Sequence, residues 1–300
     1  MSQRLGRVRA TAYPKLTLSL RVTGVRDDGF HDLDALVISL GQPHDVLEAY
    51  AVPAPGGVRV EIDRDSPEHV GIPTDHTNLA FIAAEKLLVR AGRSGHGVRI
   101  VLRKRIPAGA GLGGGSADAA AALLAVRRLL EVDVDDAGLL EIAAEVGSDV
   151  TFCLRGGAAW MRGRGELIEP LEWPSGLAFL VAVPPFRLAT PDVYRAWDEL
   201  GGPEATRRVP APRRIVSLLP ELRNDLEPAA EALEPRLVEF RTALEAATGR
   251  PAILAGSGSA YVVPVNAARD LPQLVTDVGR RLRVPVVGTT SVTRGVRVST

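Results

Sequence analysis

The sequence contains one cysteine, Cys153, among its 300 residues. A lone thiol can neither close an intramolecular disulfide nor build a structural zinc site, so a disulfide scaffold and a zinc module are both excluded. Flanked by Phe152 and Leu154, it reads as core. No sign of charge is in excess, because Lys+Arg and Asp+Glu both total 36. The chain thus lacks the electrostatic footprint of a nucleic-acid or membrane-surface binder. No apolar run reaches the ~18 residues of a membrane-spanning helix. The early arginines are not followed by the apolar stretch of a signal peptide, so a cytoplasmic protein with neither a nucleic-acid nor a membrane partner is expected. Aromatics make up only 4% of the chain, and of the 36 basic residues only Lys15, Lys86 and Lys104 are lysines. Arginine replaces lysine freely on a solvated face, whereas a compact ammonium beside a phosphate or a reacting hydroxyl is harder to replace.

With 46% hydrophobic and 24% charged residues, the chain can fill one large or two medium globular domains. Residues 7–22 alternate, with Leu16, Leu18, Leu20 and Val22 opposite Lys15, Thr17, Ser19 and Arg21, which predicts a half-buried strand. A turn at Asp27–Gly29 and an apolar run over 33–40 predict a returning strand. Further strands are expected at 58–62, 98–106, from 158 and over 177–183. Helices are expected over 78–91, 117–130 and 136–146, from about 191, and as one continuous helix over 226–247, before a final helix and strand. Residues 201–215, rich in Gly, Pro and Arg, read as a surface loop. The mixture predicts an α+β fold of two lobes, residues 1–160 and 161–300.

The richest segment is Pro107-Ala108-Gly109-Ala110-Gly111-Leu112-Gly113-Gly114-Gly115-Ser116, just ahead of an alanine-rich helix. Small residues let successive backbone N–H groups turn into one concavity, and a helix N-terminus adds partial positive charge, so residues 109–118 form a candidate phosphate cradle. Gly109, Gly111 and Gly114 satisfy the dinucleotide pattern, but a dinucleotide fold wants a wholly buried parallel strand where Arg103, Lys104 and Arg105 stand here. A Walker A loop is excluded, because no Gly-Lys-Ser or Gly-Lys-Thr occurs.

The string from Pro107 to Ser116 resembles the ATP-binding motif of the GHMP kinases. Lys15 on the first strand and the Gly256-Ser257-Gly258-Ser259 turn stand where that family carries a lysine and its secondary glycine loop. The closer resemblance is to the branch acting on diphosphocytidyl-methylerythritol. It runs through Asp28-Gly29-Phe30-His31, Asn78-Leu79, Gly147-Ser148-Asp149-Val150, Gly163-Arg164-Gly165, Thr190 to Tyr194 and Asn224-Asp225-Leu226-Glu227-Pro228.

The resemblance implies a two-lobed GHMP fold, with an N-terminal lobe of ribosomal-protein-S5-like type and a C-terminal α/β sandwich lobe. It implies ATP-dependent phosphorylation of the 2-hydroxyl of a cytidine diphosphate methylerythritol, on the non-mevalonate route to isoprenoid precursors, by a monomer or homodimer. It assigns Asp149 to the substrate hydroxyl proton, Lys15 to the developing charge, residues 107–116 to ATP, and Gly256, Ser257 and Gly258 to the secondary loop. It puts Thr17, Phe30, His31 and Tyr194 at the substrate, and Mg2+ with the nucleotide, with Ser116 and Asp118 as candidate ligands. The chain departs from the family at Thr17, where asparagine is usual, at Phe30, where tyrosine is usual, and at Ser116-Ala117, where a second hydroxyl is common. A GHMP kinase for a sugar, homoserine or mevalonate-type alcohol and a catalytically silent nucleotide-binding paralogue are the alternative readings.

Overall fold

Alternation at the N-terminus builds β1 (Arg7–Ala12), with Val8, Ala10 and Ala12 buried and the residues between them more exposed. A computed structural model describes residues 6–202 and 222–299; most of the stretch read as a surface loop lies outside them. The first sheet runs β13 (Val296–Ser299), β1, β4 (Asp45–Val52), β6 (Gly97–Arg103), β5 (Val58–Ile62). β5 and β6 are parallel and are joined through α1 (Leu79–Arg90), whose N-cap Asn78 accepts from the Ala80 N–H at 2.8 Å. The central β4 was not picked out from sequence. The alanine-rich helix is α2 (Gly114–Leu129). Its buried Ala117, Ala119, Ala120, Ala121 and Ala122 allow close packing against β1 and β4.

The second sheet joins β10 (Ile253–Leu254), β11 (Tyr261–Val265), β9 (Ala178–Ala182), β12 (Val286–Val292), β3 (His31–Leu40), β7 (Ala158–Gly163) and β8 (Leu167–Leu171), with β2 (Lys15–Val25) paired to β3. Behind it pack α5 (Thr190–Glu199), α6 (Glu227–Leu233), α7 (Arg236–Thr248) and α8 (Leu271–Leu282), closing a second core around Val193, Trp197, Leu226, Leu237 and Val278.

The single strand expected over 7–22 is two, β1 and β2, lying in different sheets, and β2 departs from its expected half-burial. Every residue from Lys15 to Val22 is buried, since the strand borders both cores, and a register shift between Thr17 and Ser19 switches its faces. Leu16 and Leu18 therefore join the first core, and Leu20 and Val22 the second. The single helix expected over 226–247 is two. Glu234 takes φ −133°, ψ 84° before Pro235, as expected where a following proline disfavours the helical conformation. Residues 148–155 form α4 (Ser148–Arg155) directly behind α3 (Asp136–Val146). Among the described residues no helix is long and apolar enough to cross a membrane.

Candidate active site

Gly109, Gly111 and Gly113 take φ of +70°, +75° and +68°, in the region that glycine adopts without steric cost, while Ala110 and Leu112 between them are buried. This zigzag pins the loop to the core and leaves its glycine backbone at the surface. Gly113 is the N-cap of α2 and offers no side-chain cap, so the first N–H groups of that helix have no side-chain acceptor, which favours an anion there. The loop is also stapled to its neighbours. Lys15 N–H donates to Leu112 C=O at 3.0 Å, and Ser259 N–H to Gly109 C=O at 3.1 Å.

Lys15 opens β2, and its side chain threads between both glycine turns. A Cβ at Gly113 would stand 2.8 Å from Lys15 Cγ, and one at Gly256 3.2 Å from Nζ. The ammonium ends 3.3 Å from Asp149 Oδ2 and donates to Thr17 Oγ1 at 3.1 Å. Asp149 sits in the first turn of α4, its side chain 34% exposed against 10% for Lys15. The second glycine turn is held by Asn224, whose Nδ2 donates to Leu254 C=O at 2.9 Å and to Gly256 C=O at 2.6 Å. Hydroxyls of Thr190 and Ser257 meet at 2.8 Å.

Lys15 and Asp149 face a cleft of about 770 Å³ that runs on to Phe30, His31 and Tyr194. Phe30 is 52% exposed, with the Arg164 guanidinium 4.8 Å from its ring centroid. His31 lies 4.7 Å from the Tyr194 ring. Burial pushes the Tyr194 hydroxyl up from its ordinary value, helped by the charge of Asp149. Across the glycine loop is a smaller pocket of about 250 Å³ bordered by Asn78, Leu79, Lys104 and Pro107. A more open groove of about 810 Å³ lies at the far end of α2, between Leu124 and Val298, and no candidate site residue lines it.

The pattern that defines the N-terminal domain of the GHMP kinases matches residues 78–157. The 4-diphosphocytidyl-2-C-methyl-D-erythritol kinase of Pelotomaculum thermopropionicum is 38% identical over 256 residues, covering 84% of this chain and 86% of that protein. The chain belongs to this kinase family. A crystal structure of 4-(cytidine 5'-diphospho)-2C-methyl-D-erythritol kinase superposes with a TM-score of 0.77 at 34% identity, covering 94% of this chain and 98% of that one. A homoserine kinase from Cytophaga hutchinsonii reaches a TM-score of 0.72 at 18% identity, covering 100% and 99%. This second likeness is one of fold alone.

In this kinase, Lys15, Thr17, Phe30, His31, Ser116, Asp149, Tyr194, Gly256 and Ser257 line the larger cleft together with Gly109, Gly111, Gly113 and Gly114. Pro107, Ala108, Ala110, Leu112 and Gly115 border the smaller pocket. Gly258 lines neither. It packs instead against Leu254 and Leu188, the nearest neighbours a Cβ there would meet. Asp118 is committed to Lys104 and borders the smaller pocket rather than the cleft. Sequence reasoning gave no role to Asp198, whose Oδ1 lies 2.8 Å from His31 Nε2. Its one signal is its place four residues after Tyr194, on the same face of a helix.

Lys104, notable in the sequence only as a rare lysine, supports the loop from below. Its ammonium bonds both Asp45 and Asp118, and Asp45 Oδ1 accepts from Ile106 N–H at 2.9 Å. The cluster thus ties β4, the entry to the loop and α2 together. Lys104→Met would strand two buried carboxyls and is expected to cost about 3–5 kcal/mol of stability, read by urea unfolding. Burial pushes the Asp118 carboxyl up to about 8 from 3.8, with Lys104 opposing and Asp45 adding. A carboxyl raised on folding stabilises the native state below about 3.8, and that contribution is lost as pH climbs through about 8. Asp118→Asn should therefore gain on the natural chain across that interval and keep a constant lead above it. A pH-independent difference would place the titration elsewhere.

Proposed function

We propose that this kinase transfers the γ-phosphoryl group of ATP to the 2-hydroxyl of 4-diphosphocytidyl-2-C-methyl-D-erythritol, with Asp149 and Lys15 as its catalytic pair. The observation that carries the reading is the position of that pair. A carboxylate and an ammonium 3.3 Å apart stand where the glycine loop meets a cleft of about 770 Å³ that continues to Phe30, His31 and Tyr194. The acceptor O–H bond breaks as the new O–P bond forms, the proton passes to the Asp149 carboxylate, and the γ-phosphorus parts from the bridging oxygen of ADP. Such transfer needs placement and charge stabilisation more than covalent help from the protein.

In this reading the backbone of residues 107–116 and the start of α2 hold the ATP phosphates. Lys15 faces the charge that builds on the transferring group, and Thr17 keeps its ammonium in place. Phe30, His31 and Tyr194 hold the pyrimidine, since a base needs a flat surface and a few edge hydrogen bonds. Magnesium, when bound, neutralises charge on the phosphates. The ion would be carried mainly by the nucleotide, with Ser116, which lines the cleft at the glycine loop, as a candidate protein oxygen. A division near residue 160 into a nucleotide-binding half and a second half accompanies this reading, with β2 and β3 of the first half and β13 of the second each crossing into the other half's sheet.

The direct test follows ATP consumption by purified protein with magnesium and 4-diphosphocytidyl-2-C-methyl-D-erythritol, locating the new phosphate by phosphorus NMR. Formation of the 2-phosphate is expected. Turnover of homoserine, a sugar or mevalonate instead would move the enzyme elsewhere among the GHMP kinases. ATP binding without turnover of any alcohol would make it a silent paralogue.

A further inference from the structure

The imidazole of His31 is held by one face of one helix. α5 presents Tyr194, Trp197 and Asp198 at spacings of three and four residues, which fall together on a helix surface. The Tyr194 ring lies 4.7 Å from the His31 ring at 35°, the Trp197 ring meets it edge-on at 5.5 Å, and Asp198 Oδ1 is 2.8 Å from Nε2. The His31 side chain is only 7% exposed, yet it lines the cleft beside the exposed Phe30. Among the described residues no other hydrogen bond to the ring occurs. A carboxylate can only accept, so Nε2 carries a proton, and in a neutral imidazole Nδ1 is then a bare acceptor.

We propose that Asp198 is a positioning residue that sets base specificity, holding His31 in the Nε2–H tautomer so that Nδ1 is the acceptor the ring offers to the cleft. Cytosine carries an amine at position 4, a donor that such a nitrogen takes. Uracil carries a carbonyl there, whose lone pairs would meet those of Nδ1. A polar group built to bond one partner rejects the mismatched one strongly, because both groups are left desolvated and unpaired. The inference rests on the cytidine reading above and adds the group that would make the site read the pyrimidine's edge.

The test compares kcat and KM for the cytidine and uridine forms of the diphosphate substrate in the natural chain and in Asp198→Asn and Asp198→Ala. The amide of the first variant can accept from Nε2–H or donate to bare Nε2, so either tautomer is held. Its kcat/KM for the uridine form should rise about tenfold, mainly through KM, with kcat on the cytidine form and KM for ATP within about twofold of the natural chain. Asp198→Ala should instead raise KM for the cytidine form with kcat little changed. A gain on the wrong base is something structural damage does not produce, whereas equal losses on both bases would overturn the proposal.

Nitrogen-15 NMR of the histidine-labelled natural chain, with the His31 signal assigned by its loss in His31→Gln, tests the tautomer without relying on those variants. A protonated Nε2 and bare Nδ1 are expected near neutral pH. The opposite tautomer or an imidazolium would overturn the proposal. Failure of the natural chain to use either base would remove the cytidine reading and this inference together, while turnover of the cytidine form with an unaltered preference in Asp198→Asn would remove the inference alone.

Discussion

Asp149→Asn is expected to lower turnover by about a hundred- to ten-thousandfold, the usual worth of a positioned acid–base group, with ATP affinity close to that of the natural chain. The structure separates catalysis from folding at this position. The N-cap of α4 is Gly147, whose carbonyl accepts from Val150 N–H at 3.0 Å, and Asp149 lends its carboxylate to no backbone group of that turn. Folding loses the attraction of a negative charge for a helix N-terminus, about 0.3–1 kcal/mol, and the ion pair with Lys15, whose part-exposed partner limits its worth and whose ammonium keeps Thr17 Oγ1, so thermal unfolding should shift by only a modest amount. The asparagine also keeps the volume beside Lys15. Single-turnover kinetics alongside calorimetric ATP binding would check both halves, and activity within tenfold of normal would remove Asp149 from the proposed mechanism.

Gly111→Ala is the second change with a large expected effect, and its cause is steric. A Cβ there would stand 1.7 Å from the carbonyl oxygen of Ala255, a backbone atom, and the residue holds φ +75°. The left-handed conformation alone costs roughly 1–2 kcal/mol for a residue with a Cβ. The clash adds a displacement of one glycine turn from the other, and overpacking of that kind costs about 1–3 kcal/mol more. Because Lys15 threads between the same two turns, the movement should spread to the catalytic pair. Loss of several kcal/mol in stability and a sharp fall in ATP affinity are expected together. Gly92→Ala is the control. Its φ is +65° with no atom within 4 Å of the added carbon, so it should show the conformational cost and leave ATP binding untouched. Normal nucleotide affinity in Gly111→Ala would show that the turns can part without harm.

The candidate site was legible to the extent that its parts are short and local. A run of glycines before a helix announces a phosphate cradle because conformational freedom and helix polarity act over a few residues. The juxtaposition of Lys15 with Asp149, 134 residues apart in a 300-residue chain, has no local signature, and only resemblance to a family paired them. Asp198 had only its place four residues after Tyr194 on a helix. On α5 it reads as one more charge on a solvated helix face, and its side chain is indeed 45% exposed. Its bond to a buried histidine on another element appears only once β3 and α5 pack.

The secondary structure divides the same way. Pro235 could have been read as a helix break, since its effect on the preceding residue is intrinsic to the chain, whereas the register shift in β2 depends on pairing with β3 and has no counterpart in the alternation itself. The sequence by itself determined the class of elements, the glycine loop, the scarcity of lysine and the likeness to a kinase family, all of which follow from composition and near-neighbour pattern. Only the tertiary structure decided which face of β2 changes cores, that Lys104 serves the loop from beneath while Lys15 serves the cleft, and that His31 is gripped by Asp198. Those outcomes depend on contacts between residues distant in sequence, whose closure is governed by packing and the burial of charge.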